Sequence, residues 1–440
     1  MNVLSIYRHM FVIPDLRRKI LFTIAMFAVY RLGTTIPVPG IDLDALRLFQ
    51  AQQEVGGIYG LLNLFSGGAL EQLSVFALGI LPYITASIIM QLLAVVIPRL
   101  QALQEEGESG RKVITQWTRY MTVILALIQS TGFTFLFHVG TFTGGIDLIP
   151  DYSPGLVALI VLTMTAGTAF VMWLGELITQ RGVGNGMSLL IFVSILSQFP
   201  FVFGQIWGQT AAVGLWIRFV TIMLIFVAMI VSIIYMDQAQ RRIPIQFAKR
   251  VRGRRVMGGQ STYIPIKVNT AGVIPVIFAT SVMLFPALIV TAIPSDGRII
   301  AQIRTWVDTN LGGGAGGQIS SWYVVVLFAL IVFFTYFYTA IQFDPVKQSE
   351  MIQRQGGFIP GVRPGRQTAA HLGHILNRIT LPGSIFLAVI SVLPAIAGLI
   401  WNIAISFSGV SILIVVGVAL ETMKQIESQL TMRNYEGILS

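Results

Sequence analysis

The sequence predicts an all-α polytopic membrane protein with ten transmembrane helices. Three observations carry the prediction. Of the 440 residues, 55% are hydrophobic and only 11% charged, whereas a soluble domain carries about 25% charged residues. Apolar runs of about 20 residues, the length that crosses a hydrocarbon core, recur ten times. The basic residues fall almost entirely on alternate connections between those runs. With a mean hydropathy of +0.77, soluble, fibrous and disordered classes are excluded.

The expected spans lie near 19–38, 74–97, 116–138, 154–178, 185–204, 214–236, 270–293, 321–343, 379–399 and 406–424. The first follows Arg17, Arg18 and Lys19 and has the flanks of a signal peptide. It is too long for one, lacks a small-residue cleavage site and ends in Pro37–Gly40, so it reads as a retained span. Ten crossings place both termini on one side. Of the 29 lysines and arginines, all but five lie on that side; Arg47, Arg298 and Arg304 lie opposite, and Arg31 and Arg218 at span edges. This asymmetry puts both termini in the cytoplasm.

Two cytoplasmic connections concentrate the charge. The sixth, over 237–267, reads DQAQRRIPIQFAKRVRGRRVMGGQSTYIPIK. The eighth sets Arg354, Arg363 and Arg366 among Gly356–Gly357, Pro360–Gly361 and Pro364–Gly365. Solvated positive-inside loops would suffice for orientation, but the length and patterning also suit a basic protrusion that meets anionic lipid or an acidic or RNA-rich partner.

Catalytic and metal chemistry have no footing. There are no cysteines, so no disulfides or thiolate ligands. No carboxylate pair, HExxH, GxSxG or phosphate loop is present, and GESGRK at 107–112 lacks the spacing of one. His371 and His374 could share a helix face, but no third ligand accompanies them. The expectation is a non-enzyme without cofactor. Proton pumps and ion-coupled transporters keep ionisable groups at mid-membrane. Here Arg31, Glu176 and His138 fall only near expected span ends, where long side chains reach the interface.

One apolar stretch is too short to cross. Ile58–Phe65, between Gly56–Gly57 and Gly67–Gly68, carries an asparagine that lipid would penalise. It fits a half-helix on the outer surface. It also fits a re-entrant plug with the paired glycines as hinges, since non-spanning backbone at membrane depth needs protein or a water-filled cavity around it. In the second span Ile80, Ile84 and Ile88 share a helical face, which suits packing, lipid contact or an apolar pore constriction. Ten spans built from two five-span halves would require the second half to be inverted.

Several stretches, in order along nearly the whole chain, resemble the SecY family of central subunits of bacterial protein-conducting channels. They are RLGTTIPVPGID (31–42), NLFSGGALEQLSVFALGILPYITASIIMQLL (63–93), EGESGRK (106–112), TRYMTVILALIQS (118–130), MWLGELITQRGVGNGMSLLIF (172–192), QRRIPIQFAKRVRGRRVMGGQSTYIPIKVNTAGVIPVIFA (240–279), YFYTAIQFDP (336–345) and GGFIPGVRPGRQTA (356–369). Val183 and Met187 stand where the family pattern suggests isoleucine.

The resemblance implies two inverted five-helix halves, residues 1–210 and 211–440, around an hourglass pore with a re-entrant plug. It maps a pore ring onto Ile80, Ile84, Ile191, Ile277 and Ile414. The plug maps onto Ile58, Tyr59, Gly60, Leu61, Leu62, Asn63, Leu64, Phe65, Ser66, Gly67 and Gly68, reaching about Leu70. A lateral gate between the second/third and seventh/eighth spans would carry Gln91, Gln129 and Asn269, residues that also suit ordinary interhelical hydrogen bonding. Lys249, Arg250, Arg254, Arg255 and Arg363 would engage the motor ATPase SecA or a ribosome, with ribosomal RNA within reach. The implied function is passage of unfolded preproteins across the inner membrane and lateral release of apolar segments, with SecE and SecG as partner subunits and signal peptides as ligands. An inverted-repeat secondary transporter would need a midplane ion site. A passive small-solute channel would leave the basic loops without a role.

Overall fold

The structure, a computed structural model, describes residues 13–439 except 53–62, 64, 141–145, 212–215, 248–249, 253–254, 258–260, 293–301, 304, 308–309, 311–319 and 402–407. The helices are α1 (Pro14–Thr35), α2 (Leu43–Gln52), α3 (Leu81–Val96), α4 (Pro98–Glu105), α5 (Glu108–His138), α6 (Pro154–Arg181), α7 (Gly186–Ala211) and α8 (Trp216–Gln238). Strands β1 (Gln240–Phe247), β2 (Arg250–Arg252), β3 (Arg255–Met257) and β4 (Ser261–Lys267) follow. Then come α9 (Ile274–Ala292), α10 (Ser321–Gln342), α11 (Pro345–Arg354), β5 (Gly357–Phe358), α12 (Arg366–Trp401) and α13 (Gly409–Leu439). A helix therefore stands at each of the ten expected positions.

Seven of the described helices are long and apolar enough to cross a membrane, and the bent pair α3–α4 makes an eighth candidate. Along α8, Ile217, Val220, Leu224, Val227 and Val231 are all exposed at spacings of three and four, and Ile217 keeps 82% of its surface. A continuous apolar face of that kind is the mark of a lipid-facing helix. Together these features make the chain a multi-pass membrane protein.

Sequence punctuation sets the helix ends. Ser153 caps α6, accepting from the Leu156 N–H, with Pro154 in the first turn. Asp344 caps α11 in the same way, accepting from Val346 and Lys347 with Pro345 following. Pro98 has no N–H to continue α3 and holds Ile97 extended; α4 leaves at 102°. Gly107, with φ +78, then turns the chain into α5, and Gly110 lets the start of α5 lie against the Leu103 carbonyl. In GESGRK, Gly107 thus makes the turn and residues 108–112 begin α5.

The second span departs from expectation. Its helix begins at Leu81, not near residue 74, and residues 67–80 run as turns. Gly67, Gly68, Leu73 and Gly79 all have positive φ. The Val38 N–H donates to the Leu73 carbonyl and the Val75 N–H to the Ile36 carbonyl. These non-helical residues are enclosed by protein, with Phe76, Ala77, Leu78 and Ile80 buried, which is why backbone of this kind survives at membrane depth.

Among the helices before residue 212, α1 packs on α6 and α7, α3 on α5, α5 on α6 and α6 on α7; among those after it, α8 packs on α13, α9 on α10 and α12, α10 on α12 and α12 on α13, so the two sets correspond in part. Between the two sets, α7 meets α8 and α13 at one side, and α5 meets α9 at the other. Rings of Trp207, Trp216 and Phe219 pack edge to face at the α7–α8 connection.

Buried threonines and serines sit at many of these contacts, including Thr122, Thr134, Thr168 and Thr335, each donating to the carbonyl one turn back. The hydroxyl is satisfied within its own helix, so the small side chain allows close approach without an orphan donor. Gly167 on α6 makes a close approach to the backbone of the turns: a Cβ there would stand 2.0 Å from the Val75 carbonyl oxygen. Gly167→Ala is expected to destabilise the fold by about 1–3 kcal/mol, seen as a lower melting temperature in detergent. Gly132→Ala, with open space around it, should leave that temperature unchanged or raised.

Candidate functional site: an apolar constriction, a re-entrant root and a seam

The five isoleucines come from four helices and belong to one extended apolar cluster. Ile80 is the cap residue of α3, and its carbonyl accepts from the Ile84 N–H, so the two stand one turn apart. Ile191 projects from α7, Ile277 from α9 and Ile414 from α13. Ile80, Ile191 and Ile414 are buried in this cluster and Ile84 and Ile277 pack against it. Among the described residues, the buried polar side chains are serines, threonines, Asn63 and the Tyr30 phenol, none of them a carboxylate, lysine or arginine. Branched alkyl groups packed together offer no fixed hydrogen-bond partner and exclude water.

Residues 58–62 and 64 of the expected plug lie outside the described residues. The rest of it, Asn63 and Phe65–Gly68, stands at the start of the turns that lead into α3. Asn63 closes on Glu71 twice: its Nδ2 donates to Glu71 Oε2 at 2.8 Å, and the Glu71 N–H donates to Asn63 Oδ1 at 3.1 Å. The Tyr30 hydroxyl lies 3.2 Å from the Ser66 carbonyl and 2.7 Å from Ser194 Oγ. Arg31 Nη1 donates to the Gly67 carbonyl at 2.9 Å and to Ser197 Oγ at 3.1 Å. Arg31 therefore turns onto the non-helical Gly67 carbonyl and the Ser197 hydroxyl instead of reaching an interface, and Gly67 is fastened where a hinge was expected.

The seam between α3 and α10 carries Gln91, whose Oε1 accepts from the Tyr338 hydroxyl while its Nε2 donates to Ser87 Oγ. Sequence reasoning named Gln91 but passed over Tyr338, although it stands in the YFYTAIQFDP stretch. Tyr338 also packs on Phe278, the neighbour of Ile277 on α9. Gln129 is half-buried on α5. Asn269, just ahead of α9, holds a buried Oδ1 without a hydrogen-bond partner among the described residues.

Nearer the basic loops, Lys347 Nζ on α11 lies 2.6 Å from Glu105 Oε1 at the end of α4. That hydrogen bond and charge hold the Lys347 ammonium above the usual lysine range. The contact belongs to protonated lysine, so rising pH removes it only above that range. Glu176 was expected at an interface by reach alone. It is instead clasped by Arg119 through two parallel bonds of 2.6 and 2.7 Å, joining α6 to α5. His138 pairs with Asp147 at 3.1 Å and stacks on Tyr152.

The two basic connections form one body. β1 pairs antiparallel with β4 and also with β5, over a small core of Ile243, Ile245, Ile266, Ile352, Ile359, Leu372 and Leu376. Arg250 and Arg255 sit on the paired strands β2 and β3, and Arg363 is exposed in the turn after β5. Lys249 and Arg254 lie outside the described residues. Sequence reasoning did not find the pairing of β5 with β1, because a two-residue strand carries no alternation to read.

A model of the SecY family matches residues 74–423. The protein translocase subunit SecY of Streptomyces coelicolor is 50% identical over 444 residues, covering 99% of this chain and 100% of the relative. That of Mycobacterium tuberculosis (strain H37Rv) is 48% identical over 436 residues, covering 97% of each. Among solved structures, one described as the structure of a protein conducting channel superposes with a TM-score of 0.62 at 19% identity, covering 94% of this chain and 92% of the other. Sec61 from a canine ribosome-channel complex of the endoplasmic reticulum superposes with a TM-score of 0.60 at 17% identity, with the same coverage.

Proposed function

The chain belongs to the SecY family, and from that premise we propose that it is the channel-forming subunit of a protein translocase. It passes unfolded preproteins through the isoleucine constriction and releases apolar segments sideways into lipid between α3/α5 and α9/α10. The observation that carries this reading is that Ile80, Ile84, Ile191, Ile277 and Ile414, from four helices, share one apolar cluster with the non-helical turns that lead into α3. An unfolded chain of any sequence must pass, so the narrow point has to be apolar, lack binding groups and close around varied side chains. The secondary-transporter reading finds no support, since the buried polar groups among the described residues are uncharged.

On this reading two halves, residues 1–210 and 211–440, hinge where α7 meets α8 and part where α5 meets α9. The plug occupies residues 58–70 and seals the resting channel. The protein lies in the inner, or plasma, membrane with both termini cytoplasmic. SecE clamps the two halves, and SecG binds peripherally. The sheet-linked basic loops, with Lys249, Arg250, Arg254, Arg255 and Arg363, receive SecA or a translating ribosome, and contact ribosomal RNA in the second case. No bond is made or broken in the channel; energy comes from the motor, the ribosome or the membrane potential.

The test is reconstitution in proteoliposomes with SecE and SecA. A signal-bearing preprotein is expected to reach a protease-protected lumen in an ATP-dependent way. Alanine at Arg250, Arg255 and Arg363 together weakens SecA binding about tenfold, since exposed ion pairs contribute roughly 0.2–1 kcal/mol each. Uptake of small solutes with no preprotein transport would overturn the proposal.

A further inference from the structure

We infer that Glu105 of α4 and Lys347 of α11 form a bolt across the cytoplasmic end of the seam, and that this bolt helps set how apolar a signal segment must be to open the channel. The inference rests on the lateral release proposed above and adds a pair of residues that tune which segments are accepted.

Two jointed helices face each other along this seam. α3 ends at Ile97, whose extended backbone leads into Pro98 and α4. α10 ends at Phe343, likewise extended, and Asp344 and Pro345 start α11. Gln91 stands six residues ahead of the first joint and Tyr338 five ahead of the second, and their side chains are hydrogen-bonded. Beyond the joints, Lys347 Nζ donates to Glu105 Oε1 at 2.6 Å. The two contacts therefore follow one another between the same pair of jointed helices. A segment entering the seam from the side of the basic loops meets the ion pair before it meets Gln91.

Both partners stand on held elements. α4 lies against α5, where a Cβ on Gly110 would stand 1.7 Å from the Leu103 carbonyl oxygen, so Glu105 is tied to α5. α11 belongs to the body of the basic loops. Ile352 lies in its core, Ser349 Oγ donates to the Gly365 carbonyl at 2.7 Å, and α11 packs on α12, so Lys347 is tied to α12. The seam cannot part at this end without separating the two charged heads.

Exposure limits what that separation costs. The side chains keep 55% and 58% of their surface, so water and salt already screen the charges. Asp344 also keeps a second carboxylate near Lys347 once Glu105 has left. A contact of this size offsets about one or two leucines of a signal segment. Against a strongly apolar segment that is minor; for a segment at the threshold it decides.

The experiment uses the complete complex with SecA in proteoliposomes and two preproteins that differ only in the signal. One signal carries about a dozen leucines, and the other is trimmed until transport is marginal. The quantity read is the ratio of the marginal rate to the strong one, in which a change in motor binding cancels. Glu105→Gln and Lys347→Gln should each raise this ratio about two- to fivefold. Glu105→Lys sets two ammonium groups against each other and should raise it further. Adding Lys347→Glu to Glu105→Lys restores an ion pair of opposite sense and should return the ratio to that of the unsubstituted channel. Both residues are exposed, so these changes leave the fold intact. A ratio that does not move in the glutamine variants overturns the inference, as does a doubly reversed channel that behaves like Glu105→Lys alone. The two levels of argument separate in the unsubstituted complex. If it transports neither preprotein, the channel reading falls and the inference with it; if it transports the strong one and the variants leave the ratio fixed, only the inference falls.

Discussion

Cysteines at Gln91 and Tyr338, joined by a short cleavable bis-methanethiosulfonate linker, are expected to abolish transport of signal-bearing preproteins, and reductant should restore it. The two side chains meet across the seam between α3 and α10, and the linker replaces a hydrogen bond with a covalent span of similar reach. The noncovalent contact is weak, contributing about 1 kcal/mol. A signal segment gains roughly 0.3–0.6 kcal/mol for each leucine, isoleucine, phenylalanine or valine placed in lipid, so about a dozen such residues supply roughly 4–7 kcal/mol. That exceeds what Gln91 and Tyr338 hold, with the exposed Glu105–Lys347 pair adding little because solvent screens it. It cannot exceed a covalent bond. Transport assayed before linking, after linking and after reduction checks the claim. Full transport through the linked channel would show that the path does not open along this seam.

The seam also shows where the sequence was legible and where it was not. Span positions could be read because each needs a long apolar run, and a helix stands at every one. The orientation argument and the basic loops rested on charge counts, which need no geometry. Gln91 was visible as a polar residue in an apolar span, but Tyr338 was not, because tyrosine in a span is unremarkable until its partner is known. The start of α3 was misplaced for a related reason. Residues 74–80 are apolar enough to pass as helix, and only the positive φ at Leu73 and Gly79 with the backbone bonds to Ile36 and Val38 show that they turn within protein. Arg31 looked like an interfacial residue because hydropathy cannot show which way a guanidinium points. Its partners, the Gly67 carbonyl and Ser197, lie 36 and 166 residues away. Hydropathy and charge thus located the elements, and long-range hydrogen bonds decided their roles.

A single cysteine at Ile277, in a chain with none of its own, is expected to form a disulfide with a preprotein that carries one cysteine and is stalled in transit. Ile277 is half-buried at the edge of the apolar cluster, so its side chain faces space as well as packing. It lies next to Phe278, which packs on Phe334 and Tyr338 of α10, and that ties the isoleucine cluster to the seam. A chain moving through the constriction and a signal segment leaving by the seam would both pass it. Adducts should therefore form with cysteines in the signal segment and in the mature region behind it, and each should vanish when the signal sequence is deleted. Cysteine at Ile217, on the exposed face of α8, sits on the lipid side and should give no adduct with the mature region. An unlabelled Ile277 beside a productively bound preprotein would remove it from the path and return the isoleucine cluster to ordinary helix packing. Labelling at Ile277 by the signal segment alone would retain the seam and move the constriction elsewhere.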